Sequence, residues 1–336
     1  MFDPLFAVAI CGLAFWMGYS VNQGGTCAVA TAHEILHHRR PLRFIGLLAA
    51  SATAALVATA LVWSGIAAAM HAGTVGVTPT LLLGAVVFGC GALVNDACLL
   101  GSLGRLGDGE LRLMLLPAGL AAGFLLAGHI LGEATASGSS LLSTPGQAAI
   151  VGLTVWAVVL VLSLAVIARR GGRRQVSDQG PLRGHERWPL ALTMVVLGLT
   201  GGALFVTAPA WTFTDLVRDS LPLAMAMARP DGIAALAVAA TVCGAIASSL
   251  RRRAWRVRRI TARGAAKTLA GGALMGVGVA AIPGGNDGLV LAAIPALSPG
   301  GIAAYLVITM TIIVGLWFKR LRSARDGQIE ADRQFD

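Results

Sequence analysis

Charged residues are scarce in this sequence. Asp, Glu, Lys and Arg make up 12% of its 336 residues, against about 25% in soluble domains. The deficit excludes an ordinary soluble fold. It also excludes a nucleic-acid partner, which needs a basic surface on such a fold. No long polar segment stands apart from the apolar runs, so no separate soluble domain is expected. Cysteine is sparse and odd in number: Cys11, Cys27, Cys90, Cys98 and Cys243, all in or beside apolar segments. That argues against a disulfide framework. There is no CxxC pair and no histidine cluster at zinc spacing, so no metal site is expected. His37-His38 beside Arg39-Arg40 reads as a membrane boundary instead. No phosphate loop, Ser-His-Asp order or haem attachment motif occurs, so neither a cofactor nor an enzyme activity is expected. The opening MFDP has no basic stretch, which predicts an uncleaved first span rather than a signal peptide.

What is present is apolar. Hydrophobic residues account for 56% of the chain, the mean hydropathy is +0.76, and many apolar runs approach the length of a membrane-spanning helix. The fold class expected is an all-α polytopic membrane protein with about nine transmembrane helices. The spans fall near 4–20, 44–69, 80–95, 112–131, 148–168, 188–207, 231–250, 265–282 and 302–318. The net charge of +10 is concentrated in 37–43, 169–187, 251–263 and the C-terminal segment. Basic loops stay in the cytoplasm. Nine crossings with a periplasmic N-terminus and a cytoplasmic C-terminus place all four there, in a bacterial inner membrane. Loops 70–79 and 133–147 carry no Lys or Arg, as the outer side requires. One transmembrane domain is expected over 1–336. It divides into a first half with a bridging helix (1–168), a cytoplasmic linker (169–187), a second half (188–318) and a cytoplasmic tail (319–336).

One stretch breaks the apolar pattern most sharply. Gly89–Glu110 holds six glycines, two cysteines, Asn95, Asp96, Arg105, Asp108 and Glu110. Irregular polar backbone survives at membrane depth only where protein covers it or where it lines a cavity. The stretch therefore reads as an inward loop. Gly276–Gly288 repeats the pattern of its first part, Gly89–Gly101: both begin GxG, hold an Asn-Asp pair and end in Gly, with Cys98 aligned opposite Gly285. In the second half Gly198–Asp215 occupies the place that Gly18–Ala32 holds in the first. Spans 1–4 thus pair with spans 6–9, with span 5 as the bridge. The odd number of crossings between equivalents makes the two pseudosymmetric halves inverted, a transporter plan.

The chemistry-bearing residues cluster in these breaks. Cys27 and Cys98 each sit among small neighbours, Gly24 and Gly25 in the first case and Gly101 in the second, which leaves room beside the sulfur. A thiol there can donate a weak hydrogen bond to an anion or, if its pKa is lowered, act as a nucleophile. Asn95 and Asn286 supply amide donors. Asp96 and Asp287 are either caps of the following half-helices or ionisable groups of a substrate or proton path. Arg105, Asp108 and Glu110, with Arg112, form a candidate ion-pair network that pins the loop. Trp211 is either an interfacial belt residue or a plug over the outer mouth.

These motifs resemble the YeeE/YedE family of sulfur transporters. The resemblance is carried by NQGGTCAVATA (22–32), NDACLLGSLGRLGDGE (95–110), the Gly198–Asp215 region and the GxG…PGGNDG loop (276–288). It implies an hourglass of helices in which loops from both halves meet at a constriction and cysteines pass thiosulfate along. It also implies a small cytoplasmic sulfur-carrier protein as partner. Cys27 and Cys98 match the first two family cysteines. Where the family has its third, this chain reads Gly284-Gly285-Asn286-Asp287. Where the family often has basic residues before the first cysteine, it reads Asn22-Gln23-Gly24-Gly25. The expected function is uptake of a small sulfur anion, thiosulfate first. The alternatives are a membrane sulfurtransferase or redox sensor carrying a persulfide, and a transporter of another solute such as a selenium oxyanion.

Overall fold

The computed structural model describes residues 4–67, 74–128, 138–171, 187–208, 211–221, 232–282 and 284–333. Nine helical stretches among them are long and apolar enough to cross a membrane, and the described chain carries only isolated bridges in place of strands. It is an all-α polytopic membrane protein.

The first span is α1 (Pro4–Gly24), followed at once by α2 (Ala28–His38). The second is α3 (Leu42–Trp63). The third is α4 (Pro79–Asn95), which starts on a Thr78 cap and Pro79 and continues, after a break, as α5 (Leu99–Gly107). A proline at the first helical position loses no hydrogen bond, since its N–H would have been unpaired there. The fourth span opens with a 3-10 turn, Leu111–Leu115, and proceeds as α6 (Leu116–Gly128). The end expected for it near 131 lies outside the described residues. The fifth is α7 (Gln147–Gly171). Most of the linker, 172–186, is likewise outside them. In the second half come α8 (Leu190–Thr207), the short α9 (Phe213–Asp219), α10 (Gly232–Arg251) and α11 (Ala262–Ala281). A single turn, α12 (Asn286–Gly288), and a π-helical turn, Leu289–Ala293, lead to α13 (Pro299–Arg333).

Glycine lets these helices approach closely. Lipid tails are as apolar as leucine, so helices in a bilayer associate through tight packing of small residues. Gly84 of α4 faces Gly278 and Ala281 of α11, and Gly91 faces Gly271 and Met275. Gly84 and Gly91 precede Gly271 and Gly278 by the same interval that separates Gly89 from Gly276. Each contact therefore maps onto the other when α4 and α11 are exchanged. Gly18 of α1 meets Thr241 of α10, while Gly198 and Gly202 of α8 meet Ala50 and Ala54 of α3. Gly119 and Gly123 of α6 seat against Leu269 and Gly276 of α11. Away from these seams α7 presents Val151, Val155, Val158 and Leu162 outward, as a lipid-facing helix does.

Candidate functional site

Four interruptions of the spans bring helix starts into the middle of the fold. α2 begins at Cys27, α5 at Cys98, α9 at Thr212 and α12 at Gly285. The backbone permits each break locally. Gly25 has φ 55° and Gly284 has φ 79°, left-handed values that glycine adopts without a Cβ clash. Asp96 takes φ 61° and ends α4 as its C-cap, a conformation in which a short polar side chain is tolerated. After each break the new helix hydrogen-bonds at once, Thr31 N to Cys27 O at 2.8 Å and Ser102 N to Cys98 O at 2.7 Å.

The sulfur of Cys98 stands where three of these helix starts meet. It lies 3.5 Å from Cys27 Sγ, and both thiols are free. The backbone N–H of Ala28 donates to Cys98 Sγ at 3.2 Å. From the other half, Asn286 Nδ2 donates to the same sulfur at 3.3 Å. Cys98 is fully buried and Cys27 is 9% exposed. Gly101, one helical turn into α5, leaves the space that the Cys27 side chain fills; a Cβ at 101 would overlap Cys27 Sγ and Cβ. Gly285 has the same role opposite, because a Cβ there would meet Leu99 Cδ1 and Asp287 Oδ1 at 2.5 Å. Gly24 is tight against Thr193 of α8, whereas Gly25 faces guanidinium groups.

Two acceptors at this contact carry no partner among the described residues: Asn286 Oδ1 and Asp287 Oδ1, both buried. Asp287 belongs to the α12 turn that Gly285 caps, and Asp215 of α9 is the charged group acting on it. Asp215 accepts from Thr212 Oγ1 at 2.5 Å, and its backbone N–H donates back to that hydroxyl at 3.1 Å. An unpaired buried acceptor is costly unless something donates to it. The contact thus combines thiol and amide donors with free acceptors, and no cation stands at the sulfurs among the described residues.

Other candidate residues go elsewhere. Asn95 is fully buried, but its amide donates to Ala97 O and Ser102 Oγ at 3.0 Å, which holds the Cys98 loop rather than facing the sulfurs. Arg112 donates to Asn95 Oδ1 at 3.3 Å and to Thr268 Oγ1 at 2.7 Å. Asp96 is not gathered with the cysteines. Its carboxylate faces Lys267 Nζ at 3.4 Å and Lys319 Nζ at 3.6 Å. Glu110 is buried and receives Arg105 at 3.1 Å, Arg112 at 3.5 Å and Arg258 at 2.8 Å. Asp108 pairs with Arg252 at 3.0 Å and accepts from Asn22 at 2.9 Å. Trp211 is 3% exposed and packs edge-on against Phe205, so it is not an interfacial belt residue.

Sequence reasoning passed over two parts of the site. Thr212 caps α9 and also bonds Thr214 at 2.9 Å; its spacing to Asp215 is that of a capping box, a signal legible in the chain. Tyr305 of α13 lies buried in the core and stacks on Phe44. It sits inside a smooth apolar span, where nothing in the sequence distinguishes it.

A helical membrane protein whose broken spans converge on two free thiols is the class that fold and site define. The sequence matches the family described as sulphur transport over residues 23–318 of 336. The chain belongs to that family, and the matched region includes Cys27, Cys98, Asp215 and Asn286. No curated protein matches it significantly.

Proposed function

We propose that this protein takes up a small sulfur-containing anion, thiosulfate first, across the bacterial inner membrane through the contact of Cys27, Cys98 and Asn286. The observation that carries this reading is the position of Cys98 Sγ, 3.5 Å from Cys27 Sγ in its own half and 3.3 Å from Asn286 Nδ2 in the other. A sulfur anion crossing there exchanges water for S–H and amide donors, and no fixed cation traps it. Asn286 and Asp287 take the place of the third family cysteine, with Gly284 and Gly285 leaving them room. The exchange symmetry of the α4 and α11 glycines supports two inverted halves. The basic segments support a periplasmic N-terminus and a cytoplasmic C-terminus. A small cytoplasmic sulfur carrier then receives the product. The test is uptake of labelled thiosulfate in cells that depend on the protein. Replacing both cysteines (C27S with C98S) should abolish uptake while the protein still reaches the membrane; unchanged uptake sinks the thiol route.

A second reading is favoured by the same 3.5 Å separation. Attack of one thiolate on the outer sulfur of thiosulfate breaks its S–S bond, releases sulfite and leaves a persulfide; the second thiol then attacks the inner sulfur of that persulfide, forming the Cys27–Cys98 disulfide and releasing sulfide. Mass spectrometry after thiosulfate exposure separates the two, since a transporter moves label and keeps no lasting adduct.

A further inference from the structure

The turn before Cys27 has no cation of its own in sequence, yet two guanidinium groups reach it from distant elements. A Cβ built on Gly25 would stand 3.0 Å from Arg187 Nη1 and 3.8 Å from Arg43 Nη1. Arg43 opens α3 and donates to Gly25 O at 3.4 Å, while its Nε pairs with Glu34 at 3.1 Å. Arg187 lies just before α8. It is held there by its neighbour: the Trp188 N–H donates to Gln23 Oε1 at 3.2 Å, and the Trp188 ring packs on Tyr19 and Trp16. The side chain that would occupy the space between these arginines is the one glycine lacks.

Among the described residues the local charge is unbalanced. Arg252 of the neighbouring α10 end bonds Asn22 Oδ1 at 2.6 Å and Asp108 Oδ1 at 3.0 Å, and its buried Nε has no partner among them. Arg251 bonds the Tyr19 hydroxyl at 3.1 Å. Within that set Glu34 and Asp108 are the carboxylates opposing Arg43, Arg187 and Arg252. Arg187 has no carboxylate within ion-pair distance among the described residues. Burial, and after it the Arg252 charge, draws its guanidinium down to about 10, with Asp108 opposing and Arg43 adding to the effect. Like charges gathered out of water favour an anion between them. Guanidinium forks present planar paired donors that match the oxygens of sulfate-like groups.

We propose that Arg187 and Arg43 form an oxyanion-binding site on the Gly24-Gly25 turn, next to the Cys27 end of the thiol contact and on the face that carries the basic loops. Its ligand is a small tetrahedral oxyanion bearing an SO3-type face, which thiosulfate and sulfate share. As a subsite of transport it rests on the function proposed above; as a binding site it stands alone. It holds an anion beside the first thiol without placing a cation at the sulfurs themselves.

The test is titration of the purified full-length protein in detergent, following thermal stabilisation by sodium thiosulfate or sodium sulfate at constant ionic strength. Wild type, R187Q, R187K and the C27S/C98S double variant are compared. Loss of one charge-assisted contact should raise the half-saturating concentration about tenfold in R187Q, with partial recovery in R187K. R187Q without anion should melt at the wild-type temperature. The cysteine variant should still titrate. The proposal is overturned if R187Q titrates like wild type, if neither oxyanion stabilises the wild type, or if only added anionic lipid does so. Retained uptake in C27S/C98S would remove the thiol route and leave this site standing. Lost uptake there with unchanged R187Q titration would do the reverse.

Discussion

Asn286 donates to the sulfur of Cys98 at 3.3 Å across 188 residues of sequence, and this bond ties the α12 turn to the start of α5. Its carbonyl oxygen has no partner among the described residues, so the amide is anchored on one side and free on the other. N286A removes both functions. A net hydrogen bond is worth about 1 kcal/mol, roughly fivefold in an equilibrium. The half-saturating thiosulfate concentration for uptake should rise by that order, because the amide N–H donors are lost. N286D keeps the shape but adds a negative charge beside Asp287, and should reduce anion uptake more than N286A does. Uptake kinetics at matched expression check both.

Gly101 is sized to the Cys27 side chain, because any Cβ there overlaps it. G101A should displace the α2 start from the α5 start and cost about 1–3 kcal/mol, as overpacked sites do. The expected outcome is a lower melting temperature and loss of uptake. Pairing G101A with C27G, which vacates the volume, should recover melting temperature but not uptake. That split separates packing from thiol chemistry.

The thiols of Cys27 and Cys98 are one van der Waals step apart and flanked by buried backbone. A thiol oxidant that accepts two electrons and two protons should link them as a disulfide, since a small closing movement suffices to reach bonding distance. Peptide mapping should find the Cys27–Cys98 cross-link, uptake should fall with it, and dithiothreitol should restore uptake. Cys90 and Cys243 are exposed on membrane-spanning helices and so face lipid; replacing both with alanine should leave transport unchanged.

Two acidic residues of the Gly89–Glu110 stretch should respond to different extents. Glu110 is buried with three arginines around it. Removing it in E110Q leaves Arg105, Arg112 and Arg258 facing one another; about 2–3 kcal/mol of stability should go, less than for a fully enclosed pair because Arg258 is exposed. Asp96 faces Lys267 and Lys319 at a half-exposed site. D96N should cost under about 1 kcal/mol, be masked by salt, and leave uptake near wild type. Thermal denaturation at low and high salt, with uptake beside it, distinguishes the two.

Much of this was legible in the chain. Apolar runs set the spans, because a bilayer leaves the backbone no partner but itself. Glycine and polar residues at Gly24–Cys27, Asn95–Cys98 and Gly284–Asp287 marked the breaks for the same reason. The Asn-Asp pairs looked equivalent in sequence, yet they part company in space. Asn95 and Asp96 end α4 and turn to Ser102 and the lysines, whereas Asn286 and Asp287 open a helical turn that faces Cys98. The difference arises from the position of each pair relative to its helix break, which a residue pattern does not specify.

By itself, then, the sequence determined the class, the apolar spans, the breaks within them and the two thiols placed at those breaks, since these follow from local hydropathy and backbone freedom. Only the tertiary structure decided which side chains meet at those breaks. The approach of Asn286 to Cys98, the fit of Gly101 around Cys27, the burial of Trp211 and the convergence of Arg43 and Arg187 on Gly25 all join residues far apart in the chain. Such contacts depend on how glycine-seamed helices cross, and the crossing is set by packing between elements rather than by any one of them.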